Sequence, residues 1–172
     1  DIILVVPPAD VGSAEELAHS FGILKVKKVI PGGAERQDSV RRGLEAVPPD
    51  AEIVLVHDGV RPFVSPAQID RCAAAAREYG AVALGIPVRD TVKRVETGGI
   101  VKLTLEREGL WLIQTPQAFR RSLIEEAHLK AHEQGFYGTD DAGLVERIGF
   151  PVRMIKGSPE NIKLTTPEDF KW

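Results

Sequence analysis

The sequence predicts an α/β protein: a mostly parallel β-sheet flanked by helices, with a β-hairpin arm projecting from it. Three observations carry this. Short apolar, β-branched runs recur at Ile2–Val6, Ile53–His57 and Val82–Ile86, and a partly charged one at Lys25–Ile30 suits a strand near an edge. Helix-length amphipathic stretches with start and stop signals separate them, and that alternation argues parallel strands joined by right-handed crossovers. Between residues 88 and 109 the rhythm breaks into two charge-rich segments about Gly98-Gly99, the pattern of a hairpin.

Length and composition set the frame. The 172 residues suit one domain with a sizeable core, and 43% hydrophobic with 27% charged residues is ordinary for a globular protein. A net charge of −3 gives no reason to expect nucleic acid or an anionic membrane as partner. The single Cys72 excludes an internal disulfide and fits a cytoplasmic protein. No apolar run approaches the roughly 20 residues needed to span a bilayer.

In chain order, Pro7-Pro8 end the first strand, and Ser13–Ser20 reads as a helix capped by Ser13-x-x-Glu16 and stopped at Gly22. After the second strand, Gly32-Gly33 form a turn, and Asp38 or Ser39 begins a helix with Val40, Leu44 and Val47 inward. Such a turn offers backbone N–H groups to a ligand, or is only a connecting loop. The third strand runs into His57-Asp58-Gly59 and Arg61-Pro62. A carboxylate and a guanidinium past the carboxyl end of a core strand stand where open α/β sheets bind ligands. Asp58 suits a divalent metal or a hydroxyl, Arg61 suits a phosphate, and Gly59 admits close backbone approach. The alternative is a surface ion pair.

Ser65-Pro66 caps a helix burying Ile69, Cys72, Ala73 and Ala76, with Gly80 as its stop. The fourth strand follows. The hairpin then carries Arg89, Lys93, Arg94, Lys102 and Arg107, and with too little core of its own it calls for a packing partner, most simply a second subunit. Leu110–Gln114 is a strand leading into Thr115-Pro116-Gln117. Ser122-x-x-Glu125 begins a helix with Ile124, Ala127 and Ala131 on one face, and its His128 and His132 read as surface residues. Gly138-Thr139-Asp140-Asp141 caps a helix with Leu144, Val145 and Ile148 inward, its paired acids explained by the helix dipole. Val152–Ile155 and Asn161–Leu164 read as the last strands, with Lys163 facing either solvent or an anion. The absence of an initiator Met and the helix start at Thr166-Pro167 so near Trp172 lead to the expectation of a fragment, or of a sequence with undetermined pieces omitted.

Six stretches in register, G-G-A-E-R-Q-D-S-V, V-L-V-H-D-G-V-R-P-F, P-V-R-D-T-V-K-R, L-W-L-I-Q-T-P-Q-A-F, T-D-D-A-G-L-V-E and N-I-K-L-T-T-P-E-D, together resemble the 2-C-methyl-D-erythritol 4-phosphate cytidylyltransferases. The resemblance spans nearly the whole chain. It implies a nucleotidyltransferase-type, Rossmann-like fold across 1–172, dimerising through the 88–109 arm. It implies Mg²⁺-dependent transfer of CMP from CTP to 2-C-methyl-D-erythritol 4-phosphate, releasing pyrophosphate, in non-mevalonate isoprenoid synthesis.

By the same resemblance, Lys163, Arg107 and Asp58 are catalytic, with Asp58 on the metal or ribose side. Arg61, Thr91, Thr115 and Thr139 surround the methylerythritol phosphate together with Lys163 and Arg107. Gly32, Gly33, Ser39 and Gly59 belong to the nucleotide. Thr91 and Arg107, on the arm, are expected to act in a partner's site. Many relatives carry Asp where this chain has Ala34, and the family's N-terminal strand and A-A-G-x-G-x-R loop are not among these residues. Two rivals follow: a ribitol-5-phosphate cytidylyltransferase, and an inactive dimer-forming fragment.

Overall fold

The computed structural model describes residues 1–171. Two parallel strands, β1 (Ile2–Val6) and β2 (Val26–Pro31), are joined through helix α1 (Val11–Ser20) and form a small sheet. Helix α2 (Arg36–Glu45) follows, then β3 (Ile53–Val56), α3 (Pro66–Tyr79) and β4 (Ala81–Pro87). A hairpin of β5 (Val92–Val95) and β6 (Val101–Leu105) leads to the long β7 (Trp111–Arg120). Helices α4 (Arg121–Glu133) and α5 (Asp141–Arg147) and strand β8 (Arg153–Lys156) follow, and a 3₁₀ turn spans Pro167–Lys171.

The main sheet runs β3-β7-β4-β8. It is mixed rather than mostly parallel: β8 lies parallel to β4, while β7 is antiparallel to both β3 and β4. The cause is the connection. No crossover helix lies between β4 and β7, so the chain leaves through the hairpin and returns beside its own outgoing strand. Val88 N donates to Leu110 O at 2.9 Å, which carries the β4/β7 ladder on to the base of the hairpin.

Strand alternation divides the core. In β4, Ala81 and Ala83 face one side with Phe119, against Leu44, Ile124, Ala127, Ala131, Leu144 and Val145. Val82 and Leu84 face the other, against Cys72, Ala76 and Ala118. Helix α3 thus covers one face, and α2, α4 and α5 the other. The buried stripe of α3 is Gln68, Cys72 and Ala76, and Ile69 lies outside it, 39% exposed. Gln68 is buried because it completes the capping box: its backbone N–H donates to Ser65 Oγ, while its Oε1 accepts from Ser65 N at 2.9 Å.

Four other expectations change. Helix α1 begins at Val11, ahead of Ser13. Helix α2 begins at Arg36 with Glu35 as N-cap, and Asp38 closes its capping box. Residues 161–164 form no strand, for their backbone bonds go to loops: Asn161 N to Ser158 O, and Leu164 N to Val60 O. Finally, β7 continues through Thr115-Pro116 to Arg120. Pro116 has no N–H, so the β4 ladder skips from Gln117 to Gln114 there. That bulge sits beside Asp58.

Candidate active site

Asp58 follows the carboxyl end of β3 and is the hub of a charged cluster. Its Oδ1 accepts from Arg36 Nε at 3.1 Å. Lys163 Nζ stands 3.4 Å and Arg61 Nε 3.9 Å from Oδ2. Burial alone would raise the Asp58 carboxyl pKa, but Arg36 and Lys163 outweigh it and hold the group below its ordinary value. Burial pulls Arg61 down from the usual guanidinium range, with Asp58 opposing the shift.

The Arg36 side chain, at the first residue of α2, also reaches Asp141 Oδ2 at 2.8 Å. Burial acts to lower the Arg36 pKa, yet Asp141 and Asp58 together leave it raised. Three cations (Arg36, Arg61, Lys163) thus meet two carboxylates (Asp58, Asp141), a surplus of one positive charge suited to an anion.

Neutral groups fix this cluster in place. Asp58 N donates to Thr115 Oγ1 at 3.0 Å, and the same hydroxyl lies 3.0 Å from His57 Nδ1. His57 Nε2 is 3.0 Å from Arg61 O. Arg61 Nη1 donates to Asn161 O at 2.7 Å, tying the strand end to the loop that carries Lys163. Asn161 is fully buried, and its Nδ2 donates to Thr115 O at 2.8 Å under the β7 bulge. Gln114 Nε2 holds the same loop through Ser158 O at 2.8 Å.

The Gly32-Gly33 turn lies against the start of α2. A Cβ on Gly32 would come 2.7 Å from Ser39 Oγ, and one on Gly33 would come 2.3 Å from Asp38 Cβ, so only glycines allow this approach. Gly33 N donates to Ser39 Oγ at 3.0 Å, and Ser39 Oγ donates to Glu35 O at 3.2 Å, so the two groups satisfy each other within the chain. Gly59 is exposed with open space around it.

The structure therefore gathers Asp58, Arg61, Thr115 and Lys163, with the Gly32-Gly33 turn packed against the start of α2, the helix that carries Arg36 and Ser39. Thr139 precedes the Asp140 N-cap of α5, whose Oδ1 accepts from Gly143 N at 2.9 Å. Thr91 and Arg107 stay with the hairpin: Thr91 is exposed and Arg107 Nη1 donates to Arg89 O, with no bond to the Asp58 cluster. Sequence reasoning missed Arg36, Asn161 and Asp141 as site residues. It also placed His128 on the surface, whereas His128 is 2% exposed and its Nε2 lies 3.0 Å from Asp141 Oδ1. An Arg at a helix start followed by two carboxylates elsewhere in the chain carries no sequence signal of convergence.

Among the described residues no group of three or more His, Cys, Asp and Glu is placed to hold a metal ion. The oxygen open to one is Asp58 Oδ2, whose cationic neighbours stand beyond ordinary hydrogen-bond length. Mg²⁺ is commonly held by one or two carboxylates together with substrate phosphates and water, and this donor fits that pattern. Among the described residues no helix is long and apolar enough to cross a membrane.

The profile of the IspD family, 2-C-methyl-D-erythritol 4-phosphate cytidylyltransferase, matches residues 1–172. A protein of that name from Pelotomaculum thermopropionicum is 54% identical over 153 residues, 89% of this chain and 64% of its own length. One from Syntrophus aciditrophicus is 48% identical over 170 residues, 98% of this chain and 73% of its own length. The crystal structure of 4-diphosphocytidyl-2C-methyl-D-erythritol synthase from Anaerococcus prevotii superposes with a TM-score of 0.88 at 34% identity, covering 98% of this chain and 74% of that one. The chain thus spans 64% and 73% of the two relatives. With its mixed sheet and its Asp58-centred charge cluster, it belongs to the 2-C-methyl-D-erythritol 4-phosphate cytidylyltransferase family.

Proposed function

We propose that the full-length protein transfers CMP from CTP to 2-C-methyl-D-erythritol 4-phosphate in non-mevalonate isoprenoid synthesis. The observation that carries this is the surplus of cations about Asp58 at the end of β3, in a chain of this family. A phosphate oxygen of the sugar alcohol attacks the α-phosphorus of CTP. One P–O bond forms, the bond from that phosphorus to the β-phosphate bridging oxygen breaks, and pyrophosphate leaves with the electron pair. Two polyanions must approach, so the chemistry is mainly positioning and charge stabilisation, and no protein nucleophile is required.

Lys163, whose side chain is 46% exposed, reaches the phosphates from beside Asp58. Arg61, Thr115 and Thr139 surround the acceptor phosphate, and the Gly32-Gly33 turn, Ser39 and Gly59 serve the nucleotide. Asp58 would hold Mg²⁺, which supplies charge neutralisation to the triphosphate when bound. Thr91 and Arg107 complete the site of a second subunit through the 88–109 hairpin. Exposed apolar side chains at Ile100, Val101, Leu112 and Ile113 on the hairpin and its base support such a dimer. A cytoplasmic location is part of the same proposal, supported by the lone thiol.

The test is pyrophosphate release from CTP by the full-length protein, assayed in parallel with methylerythritol phosphate and ribitol 5-phosphate. Release with the first alone is expected. Release with ribitol 5-phosphate alone transfers the reading to that substrate, and release with neither rejects it.

A further inference from the structure

Asp141 lies in α5, away from the end of β3, and its side chain is 1% exposed. A buried carboxylate is costly unless paired, and this one has two neighbours. His128 Nε2 meets Oδ1 at 3.0 Å, with the imidazole donating because a carboxylate only accepts. Arg36 Nη1 stands 2.8 Å from Oδ2, yet no donor is aligned with that oxygen as a hydrogen bond. The charge of Oδ2 therefore rests on the guanidinium. Through its Nε, the same guanidinium holds Asp58 Oδ1 at 3.1 Å. One planar cation thus bridges a buried carboxylate on α5 and the site carboxylate after β3, and its side chain still reaches solvent, 37% exposed. His128 anchors the far end from within α4.

This chain of contacts is buried at His128 and Asp141 and open to solvent where Arg36 meets the site. Had Asp141 served only as a helix-dipole charge, nothing would require it to be buried or to face Arg36 rather than solvent. Its N-cap neighbour Asp140 already takes the capping role through Gly143 N. Gln117 Oε1 accepts from Ala142 N and its Nε2 donates to Asp140 Oδ2, so the first turn of α5 is fixed independently of Asp141's carboxylate.

We infer that His128 and Asp141 are positioning residues that hold Arg36, and through it Asp58, in the geometry that receives the triphosphate of CTP. The inference rests on the cytidylyltransferase reading above. It makes Arg36 the cation on the nucleotide side of Asp58, opposite Lys163. Outer-sphere partners of this kind set the orientation of the groups they touch, and their loss typically costs about 10- to 100-fold in affinity or activity.

The experiment is a double-mutant cycle in the full-length protein, using Arg36→Met, Asp141→Asn and the pair, with kcat and the KM for CTP measured separately and thermal midpoints alongside. Asp141→Asn is expected to lower kcat/KM for CTP about 10- to 100-fold, mainly through KM. Because Asp141 acts through Arg36, adding it to Arg36→Met should cost no further activity beyond about twofold, a coupling that independent sites do not show. A cycle built on His128→Leu gives the same coupling and replaces the first if Asp141→Asn does not fold. Losses that multiply in both cycles, or a near-normal Asp141→Asn enzyme, overturn the inference while leaving the cytidylyltransferase reading intact. A wild-type protein that releases no pyrophosphate overturns both.

Discussion

Asn161→Ala separates the stability of this protein from its geometry. The side chain is fully buried, and its amide holds Thr115 O at 2.8 Å where β7 bulges around Pro116. Removing one partner of a buried hydrogen bond costs about 1–3 kcal/mol. Here the loss belongs at the lower end, because Asn161 Oδ1 is itself buried without a partner and truncation removes that penalty too. About 1 kcal/mol in a chain of this size lowers the thermal midpoint by roughly 2–4 °C. The loop also keeps other anchors: Gln114 Nε2 on Ser158 O at 2.8 Å, and Leu164 N on Val60 O at 2.8 Å. Activity should suffer more than stability. Asn161 O receives the Arg61 guanidinium, and Lys163 lies two residues on, so a small shift moves two site cations relative to Asp58. Misplacement of that order costs about 10- to 100-fold in kcat/KM. Thermal unfolding and steady-state pyrophosphate release read the two effects. A variant melting more than about 10 °C lower with normal kinetics would refute the reasoning, since the residue would then be core filler rather than a clasp on the site.

Other outcomes follow from single features. The Cys72 thiol is fully buried, and burial raises its pKa to about 11, so an aromatic disulfide reagent at neutral pH should label it only in denaturant; rapid labelling of the native protein would contradict the packing. Gly80 adopts φ +88°, and an added Cβ would approach Phe150 Cζ to 2.8 Å, so Gly80→Ala should cost about 1–2 kcal/mol or more and lower the thermal midpoint by at least roughly 2 °C. The Asp58 pKa lies below its ordinary 3.8 in the folded protein, so its ion pairs contribute stability in full above that pH, and the contribution is lost as pH falls through the folded value. Urea unfolding followed from pH 6 down to pH 2 should show a shallower acid limb in Asp58→Asn than in the wild type, and identical limbs would sink the assignment.

How far the sequence was legible depended on how local the cause was. The strands from Ile53 and from Val82, the Ser65 cap and the Asp140 cap all follow from signals within a few residues, and the structure has them. The direction of β7 was not legible, because reading it required knowing that the hairpin stands in place of a crossover helix. Residues 161–164 have strand-like composition, but the side chain of Asn161 takes its partner across the loop and the segment never joins the sheet. Asp58, Arg61 and Lys163 were found by motif, and they do converge. Arg36 and His128 were not found, since each acquires its role from a carboxylate roughly 20 or more positions away for Asp58 and on a different helix for Asp141. The helix dipole accounts for Asp141 from sequence, and its burial against Arg36 and His128 is what the structure adds.

Lys163, the cation facing Asp58 from the 157–164 loop, is proposed to stabilise the transferring phosphate, and the turnover of Lys163→Ala in the full-length protein with CTP and methylerythritol phosphate tests this most directly. Loss of one such donor should lower kcat by about 10²-fold or more while the fold is retained, because Lys163 is half exposed and its removal leaves no cavity. A folded Lys163→Ala protein turning over within about threefold of the wild type would contradict the claim, because a positioned transition-state cation cannot be removed at so little cost.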